Sequence, residues 1–372
     1  MSLSIYLHIP FCLSKCPYCD FASIPLDRNL VEKYVSALLY EIKSFSSLKI
    51  DTIYLGGGTP TVLKLEQLDK IMQVIKRDCT LTPNCEITIE ANPNTLDENR
   101  IRGLRNMGFN RVSLGVQSFN DKELKNLSRI HSADQAIHSF NLLKAGGFEN
   151  IGLDLIFGIP EQTLRSWKSS LKKAVGLSPQ HISTYSLTIE KETKFYQMKK
   201  EGKIKLLTDE KVRQMYLWAI DYLTSKGYKQ YEISNFSLPG FESKHNLNYW
   251  NHKEYLGFGA SAHSFYKDKR WGNLRGVRKY IELMKKKGKA IQFEEKPSKE
   301  QLITEAIFLG LRKTEGIDLR QFQKDFKVKL EDIRKDKINH LTGLGFLSKQ
   351  GSSLRLTKKA LPVADSVIVS LI

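Results

Sequence analysis

Cysteine is scarce in this sequence: five in 372 residues, too few for a disulfide framework. No uncharged apolar stretch reaches about 18 residues, so no segment reads as a membrane span. The opening Met1-Ser2-Leu3-Ser4 has neither a basic n-region nor an apolar h-region, so no secretory leader is expected. Acidic residues are short relative to basic ones. Forty Asp and Glu stand against 58 Lys and Arg, a formal net charge of +18. Such an excess suits an anionic surface or ligand, with a plain solvated basic surface as the alternative. It is not gathered in one place. Residues 297–372 carry only a small part of it and no RNA-binding module is visible, so no nucleic-acid partner is expected. The densest run, Lys285-Lys286-Lys287-Gly288-Lys289, reads as part of a charged linker. Hydrophobic residues make up 41% of the chain, ordinary for a globular protein with a sizeable core.

Three of the five cysteines crowd together as Cys12-x-x-x-Cys16-x-x-Cys19. Zinc normally takes four ligands, often from two Cys-x-x-Cys pairs, and no second pair exists. Cys79 and Cys85 stand apart and far along the chain, and read as ordinary thiols. Three close thiolates suit a 4Fe–4S cubane in a reducing compartment, with the fourth iron left open for a small molecule. Clusters of this kind perform radical chemistry with S-adenosylmethionine (SAM).

Short apolar, β-branched runs recur along the first half: Ser4–Ile9, Asp51–Leu55, Glu86–Glu90, Arg111–Gln117, Ile151–Phe157 and His181–Leu187. Helical patterns lie between them. Asp27 caps a helix whose Leu30, Val31, Tyr34, Val35, Leu38, Leu39 and Ile42 share one face. Ala136, Ile137, Phe140 and Leu143 do the same before Gly146-Gly147. Six strand–helix units in a row predict an α/β fold, a partial (β/α)6 barrel over residues 1–205. A helix from about Thr208 opens an accessory segment, 206–296, irregular and rich in aromatics and histidines. Ser298-Lys299-Glu300-Gln301 is a capping box that opens a third region, 297–372. Helices followed by short strands around Gly351 predict a small α+β, winged-helix-like domain there.

Active-site groups of such barrels sit at the carboxyl ends of the strands. Those ends carry Gly56-Gly57-Gly58-Thr59-Pro60, Glu90-Ala91-Asn92-Pro93, Gln117 and Asp154. The glycines permit close backbone approach to a ligand. Glu90 and Asp154 follow apolar runs, where a carboxylate needs a partner. Capping or internal salt bridges are the plain reading of these two and of Arg129. His245-Asn246-Leu247-Asn248-Tyr249-Trp250 combines a metal-ligating side chain with flat aromatics that suit a macrocycle. The plain reading is a core histidine with packing aromatics, haem then binding elsewhere, through His252 or His263.

The motifs together, from Tyr6-Leu7-His8-Ile9-Pro10-Phe11-Cys12 through Asp154–Pro160, resemble the radical SAM proteins related to oxygen-independent coproporphyrinogen III oxidase. The resemblance covers nearly the whole chain, including a HemN-type C-terminal domain. The oxidase pattern has a further cysteine two places after the third, where this chain has Phe21, and an extension before the first strand. With the His-Asn-x-x-Tyr-Trp element, this looks like the haem chaperone branch of the family. The resemblance implies a 4Fe–4S cluster on Cys12, Cys16 and Cys19. It implies SAM contacts from Tyr6, Tyr18, Gly57, Gly58, Thr59, Glu90, Gln117, Arg129 and Asp154. It implies haem as cargo, with His245, Tyr249 and Trp250 as candidate contacts, and client haemoproteins such as respiratory enzymes as partners. It further implies a cytoplasmic location with peripheral contact to anionic membrane, and little or no oxidase activity.

Overall fold

The structure, a computed structural model, describes residues 2–372. Six parallel strands stand side by side in chain order: β1 (Leu3–Ile9), β2 (Lys49–Gly57), β3 (Thr80–Ala91), β4 (Arg111–Gln117), β5 (Ile151–Phe157) and β6 (His181–Ser186). Helices cross over between most of them, as parallel pairing requires. Their apolar residues are buried on both faces, which is why these strands read as contiguous hydrophobic runs. Helix Arg28–Lys43 begins where Asp27 accepts from the Asn29 and Leu30 amides, and it buries Leu30, Val31, Tyr34, Val35, Leu38 and Ile42. Helix Ala133–Ala145 opens on a capping box of Ser132 and Gln135. This is the partial (β/α)6 barrel that the sequence predicts.

The middle segment is not an irregular appendage. It completes the same sheet, which has twelve strands. Lys229–Gln230 and Asn235–Ser237 extend it beyond β6. Tyr255–Phe258 runs parallel to β1, with Ser4 opposite Tyr255. Antiparallel strands His263–Tyr266, Lys269–Asn273 and Ile291–Glu295 continue outward. The reason is elementary: an open barrel has two raw edges whose amides and carbonyls need partners. The expected charged linker is also corrected. Lys285, Lys286 and Lys287 form the last turn of helix Val277–Lys287, where cations complement the helix dipole. Gly288, at φ +70°, ends that helix.

A buried carboxylate fastens this added region to the barrel. Glu41, on helix Arg28–Lys43, accepts from Tyr280 Oη, Asn273 Nδ2 and the Gly259 amide. The C-terminal region has its own core around Ile303, Ile307, Phe322, Leu341, Leu354 and Ile368. Its first helix, Lys299–Gly310, carries the predicted Ser298–Gln301 capping box. A three-stranded sheet of Ile317–Asp318, Ser353–Leu356 and Leu347–Gln350 completes it. Glu305 ties it back to the sheet through Arg270 and His252.

Candidate functional site

The carboxyl ends of the six parallel strands surround a cavity of about 430 Å³. Cys12, Cys16 and Cys19 line one side, on the loop between β1 and helix Arg28–Lys43. That loop is held from beneath. His8, buried at the end of β1, accepts at Nδ1 from the Tyr6 hydroxyl (3.0 Å) and donates from Nε2 to the Ala22 carbonyl (2.9 Å). Lys15 closes the loop by donating to the carbonyls of Phe21 (3.2 Å) and Ser23 (3.0 Å).

One polar chain links two of the thiols. Arg129 donates from Nη1 to Cys16 Sγ (3.5 Å) and from Nη2 to the Gly115 carbonyl (3.0 Å) and Asn92 Oδ1. Asn92 Nδ2 donates to Thr59 Oγ1 (2.8 Å), and Thr59 in turn donates to Cys12 Sγ (3.6 Å). Burial pushes the Cys12 thiol up, and pushes Cys19 up to about 11. These thiols stay protonated until a metal displaces the proton.

Fit to a cubane can be tested on this geometry. Among the described residues, no three His, Cys, Asp or Glu side chains converge as ligands of one ion. A cubane makes no such demand, because each thiolate binds a different iron. Arg129 Nε is buried and unpartnered, so the guanidinium keeps a donor to spare beside the sulfurs.

The glycines of β2 are explained by crowding as well as by ligand approach. Gly57 has φ +104°, and a Cβ there would lie 2.4 Å from the His8 ring. A Cβ on Gly58 would lie 2.7 Å from the Phe11 carbonyl oxygen. No side chain fits where the strand end runs under the cysteine loop. Thr59, which follows, faces Cys12.

Glu90 and Asp154 also line the cavity. Glu90 accepts from Tyr54 Oη (2.8 Å) and the Gly57 amide (3.2 Å). Burial nevertheless raises it to about 7. Asp154, inward on β5, is raised by burial, which the hydroxyls of Ser183 and Ser113 partly offset. Gln117 ends β4 in the left-handed region at φ +66°. That is an uncommon conformation for a side chain of this kind, and such residues cluster at functional sites. Tyr18 also lines the cavity and packs on Phe195.

Eleven of the twelve residues predicted for cluster and SAM therefore line one cavity; Tyr6 does not. It lies one layer below, stacked on the cavity-lining Tyr54, near His245 and hydrogen-bonded to His8. Asn92 of the Glu90–Pro93 motif, with Tyr54 and Ser113, also lines the cavity. Each is a polar residue inside or just after an apolar strand run, and that was the available signal.

The haem candidates lie away from the cavity wall. His245 is buried, and both of its ring nitrogens are engaged. Thr52 Oγ1 lies 2.7 Å from Nδ1 and the Tyr249 hydroxyl 3.0 Å from Nε2. Thr52 spends its own proton on Ser4 Oγ, so it accepts from the imidazole. Burial lowers His245 to about 3, and its ring stacks on Tyr54. It is a neutral core histidine with no lone pair facing a ligand. Tyr249 is its hydrogen-bond partner, and Trp250 packs under Arg312 of the C-terminal region. Of this element only Asn246 reaches the cavity wall.

A family model described as the radical SAM superfamily matches residues 6–174, and one described as the HemN C-terminal domain matches residues 298–363. The chain is 39% identical to the heme chaperone HemW of Lactococcus lactis, over 98% of this chain and 96% of that protein. It is 37% identical to the heme chaperone HemW of Bacillus subtilis, over 98% and 97%. Among solved structures, coproporphyrinogen III oxidase (HemN) from Escherichia coli superposes with a TM-score of 0.85. That match covers 100% of this chain and 90% of the other at 23% identity, a likeness of fold.

Proposed function

The chain belongs to the HemW heme chaperone family, and we propose from that membership that it binds haem and transfers it to client haemoproteins. The observation that carries this reading is the near-complete alignment with HemW relatives at 39% and 37% identity. Phe21 supports it against the oxidase alternative. It stands where the oxidase pattern has its further cysteine, is 59% exposed and lines the cavity.

Cys12, Cys16 and Cys19 would hold a 4Fe–4S cluster, and the rest of the cavity wall would hold SAM. When bound, such a cluster would supply single electrons for SAM chemistry. The carboxylates of Glu90 and Asp154 suit ribose hydroxyls and the cationic sulfonium. Arg129 suits the SAM carboxylate while steadying the Cys16 thiolate. Gly57 and Gly58 leave the strand end bare, so backbone groups can meet the ligand. Five cysteines without a disulfide suit the reducing cytoplasm. No helix among the described residues is long and apolar enough to cross a membrane. Peripheral contact with an anionic membrane is the role we assign to the net charge of +18.

The test is an anaerobic haem titration beside an assay for conversion of coproporphyrinogen III in the presence of SAM. Haem binding with negligible conversion is the expected result. Robust conversion without haem binding would make the oxidase reading correct.

A further inference from the structure

We propose that haem docks on the open inner face of the sheet beside the cavity mouth, with His263 as its axial ligand and Phe293 against its ring. The proposal rests on the haem-binding reading above and assigns the site that His245 does not provide.

The chain has eight histidines. His8, His131, His181 and His245 are buried, and each has a ring nitrogen hydrogen-bonded. His252 is paired with Glu305 at 3.2 Å. Three remain, His138, His263 and His340. They are exposed and, among the described residues, have no side-chain hydrogen bond. His138 and His340 ride on helices Ala133–Ala145 and Lys335–Gly343 without an aromatic ring against them.

His263 is built differently. It opens strand His263–Tyr266 directly opposite Gly272, which in turn stands opposite Phe293. A Cβ on Gly272 would lie 2.5 Å from the Phe293 ring and 3.1 Å from His263 Cε1. The two rings therefore lean together over a residue that has no side chain, with centroids 5.5 Å apart. Phe293 is 38% exposed. The alternate residue Trp271 points to the other face and stacks on Phe45 of the barrel. An imidazole and an aromatic ring on an open face are what a flat apolar macrocycle with an iron centre requires.

The location also fits delivery. Strand Tyr255–Phe258 runs parallel to β1, so the turn leading into His263 lies at the same end as the cysteine loop. His263 sits two strands from β1, about 10 Å away at normal strand spacing. Arg275, just past strand Lys269–Asn273, donates to the Asp20 carbonyl of the cysteine loop at 2.6 Å. Its other terminal nitrogen pairs with the exposed Glu192 at 3.3 Å, a surface contact that a propionate could replace, and the side chain remains 54% exposed. Partial shielding of the ring, with the nearby Arg270 charge, holds the His263 imidazole below its ordinary range although its surface is open to solvent. It is neutral at pH 7 and keeps a lone pair for iron.

The experiment is a haem titration of the full chain followed by absorption spectroscopy, on wild type and on His263→Ala, Phe293→Ala, His138→Ala and His340→Ala. We expect His263→Ala to shift the haem absorption band and weaken binding at least about tenfold. We expect Phe293→Ala to weaken it roughly two- to tenfold with the band unchanged. His138→Ala and His340→Ala should match wild type. A wild-type spectrum and affinity in folded His263→Ala would overturn this site while leaving haem binding intact. Absence of haem binding by wild type would overturn the functional reading and the site together.

Discussion

Arg129 donates to Cys16 across 113 residues of sequence, at 3.5 Å, and so joins the connection between β4 and helix Ala133–Ala145 to the cysteine loop. The same guanidinium reaches Cys12 through Asn92 and Thr59. Charge-assisted hydrogen bonds of this kind contribute about 1.5–3 kcal/mol. Arg129→Ala is expected to weaken SAM binding roughly ten- to a hundredfold and to lower iron retention during purification. Arg129→Lys should rescue only part, because one ammonium cannot reproduce the fork. Equilibrium dialysis with labelled SAM and iron analysis check this; wild-type values for both in Arg129→Ala would remove Arg129 from the site.

The cysteines divide into two classes. Cys12→Ala, Cys16→Ala or Cys19→Ala should each abolish the visible absorption of the anaerobically reconstituted protein. Cys79 and Cys85 lie outside the cavity, and their alanine variants should keep it. Iron content per chain is the measurement. Loss of iron in Cys79→Ala would contradict the three-thiolate arrangement.

Glu90 makes SAM affinity depend on pH. Its ordinary value of 4.5 is raised to about 7, chiefly by burial. Between those values the folded, ligand-free protein holds a proton that the unfolded chain has released. Its stability therefore falls as pH climbs from about 4.5 through 7 and levels off above. A cationic ligand favours the ionised carboxylate, so SAM affinity should rise over the same upper range, from about pH 6 to 8. Glu90→Gln should flatten that rise. An unchanged slope in Glu90→Gln would assign the titration to another group.

His245→Ala tests the structural role of that residue. It removes a buried ring and strands Thr52 Oγ1 and Tyr249 Oη, so stability should fall by about 2–4 kcal/mol. Haem affinity, measured below the unfolding transition, should remain within about twofold of wild type. Denaturant unfolding and haem titration read the two effects separately. Lost haem binding at wild-type stability would restore His245 as a ligand.

The first half of the molecule was legible because its physics is local. Arg111–Gln117 and Ile151–Phe157 are strands buried on both faces, and such strands must be apolar throughout. The cysteine triplet and the polar residues at strand ends announced themselves by position. The middle segment was not legible. Its added strands are two to five residues long, and their pairing is set by the raw edges of a barrel encoded elsewhere. The setting of His245 is hidden from the sequence for a related reason. Its partner Thr52 lies 193 residues away, and an engaged imidazole looks in sequence like a free one.

Strand β1 pairs with Tyr255–Phe258, and that pairing carries a consequence for the nascent chain. Ser4 leaves the ribosome some 250 residues before its partner Tyr255. At about 5–20 residues per second, this is a delay on the order of ten to fifty seconds. Throughout it, one edge of β1 is bare while the three thiols beside it are already outside the tunnel. The cysteine loop therefore emerges well before the sheet can close, and whatever guards the young polypeptide must shield both an unpaired strand and three bare thiols.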